Sequence, residues 1–337
     1  MTLYIGYQSA LEFWRKRLLL PKNGSTNSRG RKILLPTNPI AISLPDNLGL
    51  TLPVHVILGD ARARRTLPAM KQHVLTAALP ASSFLDAGGG LQVSSPEFCF
   101  LQMASQLPLV QLIELGFELC GRYSMPASSF QVMPSSGFNQ RPPLTSIMKL
   151  NAFIAQTPGL DGHQKATRAL RHILDDSASP RETKLTLLLC LPPKLGGRGF
   201  ARPLLNVRID LPQPVRIDTG KAYFECDLFW PEHKLAVEYD SDLHHTGPER
   251  IAADSKRRNY LGSVGIKTVT VTNEQITDSV SFEAVVRLLA SHLERRTNQN
   301  NPGNTAARRE LRRLLLKPGA VSAGERLASG SPGPAAR

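Results

Sequence analysis

Two neighbouring strand-like runs that carry carboxylates at alternate positions constrain this chain most. Tyr223–Trp230 and Leu235–Asp240 are rich in aromatic and branched residues, and the four residues between them begin with Pro231, as many turns do. A turn of that length pairs the runs as an antiparallel hairpin and sets Asp227 directly opposite Glu238. Two like charges at such a position destabilise a sheet unless something neutralises them.

The same register adds a second pair of acids. It places Leu228 opposite Val237 and Glu225 opposite Asp240, and side chains two apart along a strand share a face. Four acids on one face of a hairpin become tolerable when a divalent cation binds among them, and hard oxygen ligands suit Mg²⁺ or Mn²⁺. The sequence therefore predicts a magnesium or manganese site on this hairpin.

The bulk composition is that of a globular chain with a basic surface. The chain has 337 residues, 41% of them apolar and 20% charged, which suggests two domains. Basic residues exceed acidic ones by 14, and since seven basic and two acidic residues follow residue 296, an excess of nine remains in residues 1–296. A positive charge spread along the chain favours a polyanionic partner.

Cysteine usage and the apolar segments favour a reducing, cytoplasmic location. The four cysteines stand far apart within apolar runs, which is typical of buried free thiols. The first residues lack the basic start and apolar stretch of a secretion signal, and no segment approaches the ~20 apolar residues that span a bilayer. We therefore expect no membrane partner.

Strand and helix signals divide the chain into four parts. Residues 1–143 predict a smaller α+β N-terminal domain, and residues 144–176 predict a helical linker. Residues 177–296 follow the order helix, three strands, helix, strand, helix, which predicts an α/β fold with a mixed β-sheet flanked by helices. Residues 297–337 are rich in Asn, Gly, Pro, Ser and Ala and predict a disordered basic tail, within which residues 306–317 have a basic helical pattern.

A set of spaced residues in the third part resembles the PD-(D/E)xK nuclease superfamily. The set consists of Asp227, Glu238-Tyr-Asp240 after ten intervening residues, His244-His245, and Asp254-x-x-Arg257-Arg258. It is most similar to the uncharacterised domain related to very-short-patch-repair endonucleases, in which an acid after a strand, a stretch with Trp-Pro-Glu and then Val-Glu-x-Asp-Gly-x-x-His follow one another. The likeness covers residues 177–296 and implies a restriction-endonuclease-like core that binds one or two Mg²⁺.

The resemblance implies roles for five residues of this chain. Asp227 and Glu238 match the principal metal ligands, and Asp240 matches the acid two residues further on, a third metal ligand. Glu182 matches the acid on the helix that precedes the sheet. His245, or else its neighbour His244, matches the downstream imidazole, whose pKa near neutrality suits a general base.

The chain departs from the superfamily pattern at two positions. The usual Lys, two positions after the Glu, is replaced by Asp240, a feature that the related branch shares. Ser241 stands where Gly is usual, so the turn after the strand adopts positive φ less readily. On the following helix, Arg257 and Arg258 are candidates to bind the scissile or an adjacent phosphate.

Structural alternatives exist for two of the charged residues. Glu182 lies three residues after Ser179 with Pro between them, the pattern of a capping box, and one carboxylate can serve both purposes. Asp254 and Arg258 are four apart on a helix and are expected to pair with each other.

A zinc site is the alternative for the downstream histidines. Cys226, His244 and His245 have suitable ligand chemistry. Alternation along the strand directs Cys226 to the face opposite Asp227, so we do not favour this site.

The N-terminal half is similar to the C-terminal part of abortive-infection antitoxins that act as transcriptional regulators. The likeness rests on residues 52–58, His73 and residues 90–104, which in that family form two strands and a helix that begins at Ser-Pro. No winged helix is recognisable, so sequence-specific DNA binding is not carried over. His55 and His73 are expected to be packing or surface residues.

Together these observations predict a Mg²⁺-dependent endonuclease that hydrolyses DNA, in a defence or toxin–antitoxin-like setting. The preference for DNA over RNA rests on the resemblance alone, because an RNA-cleaving toxin would use the same site. The alternative of another class is a nucleic-acid-binding or transcription-regulatory protein whose nuclease core is inactive.

Overall fold

The computed structural model describes residues 2–17, 32–35, 49–127, 137–240, 248–294 and 302–316. Its strands are β1 (Leu3–Ile5), β2 (Lys32–Ile33), β3 (Val54–Leu58), β4 (Met70–Val74), β5 (Leu79–Pro80), β6 (Phe84–Gly88), β7 (Leu91–Ser94), β8 (Tyr123–Ser124), β9 (Asn139–Gln140), β10 (Leu204–Asp210), β11 (Tyr223–Trp230), β12 (Leu235–Asp240) and β13 (Lys267–Thr272). Its helices are α1 (Tyr7–Lys16), α2 (Pro96–Gln106), α3 (Leu109–Cys120), α4 (Ile147–Ala155), α5 (His163–Leu170), α6 (Pro180–Cys190), α7 (Gln213–Thr219), α8 (Pro248–Ser263), α9 (Asn273–Thr277), α10 (Ser279–His292) and α11 (Pro302–Leu316).

A five-stranded mixed sheet occupies the N-terminal half, in the order β4-β3-β1-β7-β6. Helix α1 packs against this sheet through Leu11 and Trp14, which are almost fully buried. Helix α2 begins at the predicted Ser-Pro signal, where the Ser95 hydroxyl accepts a hydrogen bond from the Phe98 N–H and Pro96 fills the first helical position.

A four-stranded sheet follows, in the order β10-β11-β12-β13. The first three strands are antiparallel neighbours, and β13 returns parallel to β12 after helix α8, as a parallel connection requires. The predicted hairpin register is confirmed near the turn, where Trp230 pairs with Leu235 and Leu228 with Val237. The chain is therefore a mixed α/β protein with mixed sheets flanked by helices.

One apolar core runs through both halves of the chain. Helix α4 packs against α2, helix α5 packs against both α2 and α3, and α3 also contacts α6. The approach is close at Gly116 of α3, where a methyl group would overlap the side chain of Ile173. The same cluster extends from Leu3 in the first sheet to Leu315 in α11, so the predicted division into domains and a linker does not coincide with a break in the core. Among the described residues, no helix combines the length and the apolar character needed to cross a bilayer.

Helix α11 lies within the segment predicted to be a disordered tail, at the place where residues 306–317 have a basic helical pattern, and it begins four residues earlier than that pattern, at Pro302. Leu311 and Leu315 are each 1% exposed in the main core. Gly196, with φ of 89°, lets the helix backbone approach, because a side chain there would overlap the Ala307 carbonyl. Composition indicated disorder because it does not reveal that these two leucines have a surface to bury against. Helix α7 was not predicted at all.

Candidate active site

The carboxylate of Asp227 lies where β11 and β12 separate. Pairing between the two strands runs back from the turn as far as Leu228 and Val237. Beyond that point Asp227 Oδ2 accepts a hydrogen bond from the Tyr239 N–H at 2.7 Å, so the side chain takes a donor that further strand pairing would have used. Asp227 and Glu238 are therefore not the directly opposed pair that was predicted, although their charges still interact across the gap.

Both carboxyl groups are electrostatically perturbed. Burial, followed by the charges of Glu238 and Glu182, raises the pKa of Asp227 to about 8. Burial also raises the pKa of Glu238, against a lowering effect of Arg257. Acids in such an environment gain from a neighbouring positive charge, which makes the Asp227–Glu238 pair a candidate cation site.

Arg257 of helix α8 is the counter-ion of Glu238. Its Nη2 lies 2.6 Å from Glu238 Oε2, with the two side chains 28% and 13% exposed, and the same atom donates to the Glu225 carbonyl. Glu238 Oε1 is buried and has no hydrogen-bond partner among the described residues. The structure thus engages one of the two predicted phosphate-binding arginines with an acid, whereas Arg258 is exposed on the same helix.

Glu182 lies in the first turn of helix α6, and its charge also acts on Asp227. Its N–H donates to the Ser179 hydroxyl at 3.2 Å, and its Oε1 accepts from that hydroxyl at 2.8 Å. Its Oε2 accepts from the Ala178 N–H at 2.9 Å and from Asn206 Nδ2 at 2.7 Å. Half of the predicted capping box is present: the Ser179 hydroxyl caps the helix, but the Glu182 carboxylate accepts from the Ala178 N–H and not from the Ser179 N–H. The Glu182 charge still acts on Asp227.

The prediction that Glu225 stands opposite Asp240 is wrong, because the hairpin strands have already separated. Glu225 pairs with Arg208 of β10, and its carboxylate lies 2.7 Å from the guanidinium of Arg122, just after α3. Asp240 ends β12 and pairs with Thr272 of β13. The four acids therefore do not share one face of the hairpin.

The strict alternation assumed for Cys226 also fails. In β10 and β11, Leu205 pairs with Leu228 and Val207 with Cys226, but the intervening Asn206 and Asp227 form no such pair. Cys226 belongs to a second, smaller apolar cluster that includes Leu261 of helix α8, and it interacts with Glu238. Leu228, two positions along the same strand, belongs to the main core on the other side of the sheet. Burial, followed by the Glu238 charge, raises the pKa of the Cys226 thiol to about 12, so this thiol is not a reactive nucleophile.

The predicted general base, His245, lies outside the described residues, as do His244 and Ser241. Its role and the zinc alternative therefore stay predictions. Asn206 was not predicted as a site residue. The available signal was an Asn in the middle of a strand-like run, because Asn is depleted in strands and tolerates left-handed backbone.

The described carboxylates do not form a complete set of ligands for a metal ion. Within the described ranges, no three His, Cys, Asp or Glu side chains are arranged to hold a metal ion, so Asp227, Glu238 and Asp240 do not form a ready triad. Mg²⁺ is commonly held by one or two carboxylates and keeps several waters, and the Asp227–Glu238 pair offers two carboxylates for such an ion.

Comparison with family models, curated proteins and solved structures finds no match for this chain.

Proposed function

We propose that this chain is a divalent-metal-dependent nuclease that hydrolyses phosphodiester bonds in DNA. The observation that carries the proposal is the pair of partly buried carboxylates, Asp227 and Glu238, whose pKa values are raised where two strands separate. Apart from the additional helix α7 between β10 and β11, the order α6, β10, β11, β12, α8, β13 is the order that the sequence resemblance implies, which supports the same function.

The residues would divide the work as follows. Asp227 and Glu238 would hold Mg²⁺ or Mn²⁺, with Asp240 as a further candidate ligand. A cation held there would supply polarisation of the phosphate and activation of a water. Arg257, released from Glu238, and the exposed Arg258 would donate hydrogen bonds to phosphate oxygens. His245 is the proposed base.

The charge of the chain supports a nucleic-acid substrate. An excess of 14 basic residues attracts a polyanion, and Arg181, next to Glu182, donates to the Tyr239 hydroxyl at 3.1 Å beside the proposed site. DNA is chosen over RNA on the sequence resemblance, and RNA enters the test as a competitor substrate.

One observation favours the second candidate, a nucleic-acid-binding protein with an inactive core. The guanidinium of Arg257 already lies against the Glu238 carboxylate. A guanidinium that permanently replaced the cation would leave a binding surface without hydrolysis.

Nicking of a supercoiled plasmid distinguishes the two candidates. The wild type is compared with Asp227→Asn and Glu238→Gln in Mg²⁺, in Mn²⁺ and in EDTA, and Glu232→Gln in the exposed hairpin turn is the matched control. The nuclease proposal expects metal-dependent nicking by the wild type and by Glu232→Gln only. Equal nicking by all four proteins would indicate a contaminant and reject the proposal, whereas salt-sensitive DNA binding without nicking would favour the second candidate.

A further inference from the structure

Asn206 interrupts β10 at the position that faces Asp227. Its φ is 49°, in the left-handed region that residues with side chains seldom adopt. Leu205 and Val207 on either side pair with β11 in a common register, and only the Asn206–Asp227 position between them is unpaired. The irregularity is therefore confined to one residue in each strand.

The left-handed backbone gives the Asn206 amide two acceptors outside the sheet. Nδ2 donates to Glu182 Oε2 at 2.7 Å and to the Asp176 carbonyl at 2.9 Å. Asn206 therefore ties the start of helix α6 to the strand that borders Asp227. Backbone strain of this kind persists where surrounding contacts enforce it, and it is found disproportionately at functional sites.

We propose that Asn206 is a positioning residue that holds the Glu182 carboxylate beside Asp227, so that a third acid faces the Asp227–Glu238 pair. This inference rests on the proposed function. Both Glu182 oxygens accept hydrogen bonds from protein groups, so the third acid acts from outside the metal-binding pair. Groups that orient a metal site in this way affect metal affinity without contacting the substrate.

The competing interpretation is that Asn206 is only a residue suited to an unusual backbone conformation. Glycine separates the two interpretations, because Asn206→Gly keeps left-handed φ accessible and removes the amide. Lys234→Gly is the matched control: Lys234 has φ of 44° in the turn of the same sheet and has no part in the proposed site.

The experiment uses the whole chain and measures three quantities for each variant. These are the melting temperature, the affinity for Mn²⁺ without DNA, and kcat and KM for plasmid nicking. We expect Asn206→Gly to melt within a few degrees of the wild type and to lose about 10- to 100-fold in Mn²⁺ affinity and kcat, with KM nearly unchanged. Lys234→Gly should match the wild type in Mn²⁺ affinity, kcat and KM.

A double-mutant cycle tests whether Asn206 acts through Glu182. If it does, Asn206→Gly combined with Glu182→Gln should be no worse than Glu182→Gln alone. Additive losses, a wild-type Mn²⁺ affinity and kcat in Asn206→Gly, or unfolding of that variant would each overturn the inference. If the wild type itself neither binds Mn²⁺ nor nicks DNA, both the proposed function and this inference are rejected. If the wild type is active and Asn206→Gly has the same Mn²⁺ affinity and kcat, only the inference about Asn206 is rejected.

Discussion

Arg257 Nη2 lies 2.6 Å from Glu238 Oε2, so a guanidinium stands beside one of the two acids proposed to bind a cation. The arrangement reduces the charge repulsion in the hairpin, because Arg257 stabilises the charged form of Glu238, although the pKa values of both acids remain raised. It also means that a divalent ion and Arg257 would compete for the same carboxylate.

Removing Arg257 should destabilise the protein in a way that metal partly reverses. Arg257→Ala leaves Glu238 partly buried without its counter-ion, and we expect the free energy of unfolding in EDTA to fall by about 1–3 kcal/mol. Mn²⁺ should restore part of the loss. Urea denaturation with and without Mn²⁺ measures it, with the exposed Arg258→Ala as control, expected within about 0.5 kcal/mol of the wild type. Equal losses in the two variants would contradict the prediction.

Replacing Asp227 should stabilise the protein increasingly as the pH rises. An acid with a raised pKa keeps its proton in the folded state after the unfolded chain has lost it, so the wild-type free energy of unfolding falls between pH 3.8 and about 8. Asp227→Asn removes this loss and can still accept from the Tyr239 N–H. We expect its melting temperature to exceed that of the wild type by several degrees at pH 8, at about 2–4 °C per kcal/mol. Thermal melts between pH 4 and pH 8 measure the effect. A difference in melting temperature between Asp227→Asn and the wild type that did not change with pH would contradict the prediction.

The histidine pair in the first sheet should weaken the fold in acid. His73 Nε2 lies 3.1 Å from His55 Nδ1, and burial together with neighbouring positive charge lowers the pKa of each from 6.5 to about 4. Below pH 6.5 the unfolded chain binds protons that the folded protein does not, so the free energy of unfolding falls towards pH 4. His73→Gln removes one such group, and its melting temperature should drop less between pH 7 and pH 5 than that of the wild type. An equal fall in the melting temperatures of the wild type and His73→Gln between pH 7 and pH 5 would contradict the prediction.

The docking of α11 should depend on Gly196. Gly196→Ala introduces a methyl group against the Ala307 carbonyl, whereas Gly220→Ala, also at positive φ, meets open space. Gly220→Ala should cost about 1 kcal/mol through backbone strain alone. Gly196→Ala should cost about 1–3 kcal/mol more, because the helix must move. Chemical denaturation compares the two variants, and equal costs would mean that α11 does not pack closely there.

The turn of the hairpin could be predicted from the sequence, whereas the separation of its two strands could not. The aromatic and branched residues around Pro231 specify the turn and the nearby pairs, because both are local properties of the chain. The separation of the strands depends on Asp227 bonding to the Tyr239 backbone and on Asn206 adopting left-handed φ, and neither follows from alternation.

The ion-pair partners of the acidic residues could not be predicted from the sequence either. Arg257 pairs with Glu238, and Arg122 pairs with Glu225 across 103 positions in the chain. Such contacts depend on how helices dock on the sheet, which residue spacing does not encode. The cap that Ser179 provides to the Glu182 N–H was predictable because the two residues are three apart in the chain.

The uninterrupted core bears on how this protein can be dissected in the laboratory. A fragment that started at residue 177 would lack α3, and Leu185 and Leu189 of α6, each 0% exposed, would lose part of the interior that shields them. At about 1.5–3 kcal/mol for each leucine brought into water, such a piece would be prone to misfold or aggregate whatever its chemistry. A lack of nuclease activity in an excised fragment would reflect its disrupted packing. Point substitutions in the full-length chain are therefore the better test of activity.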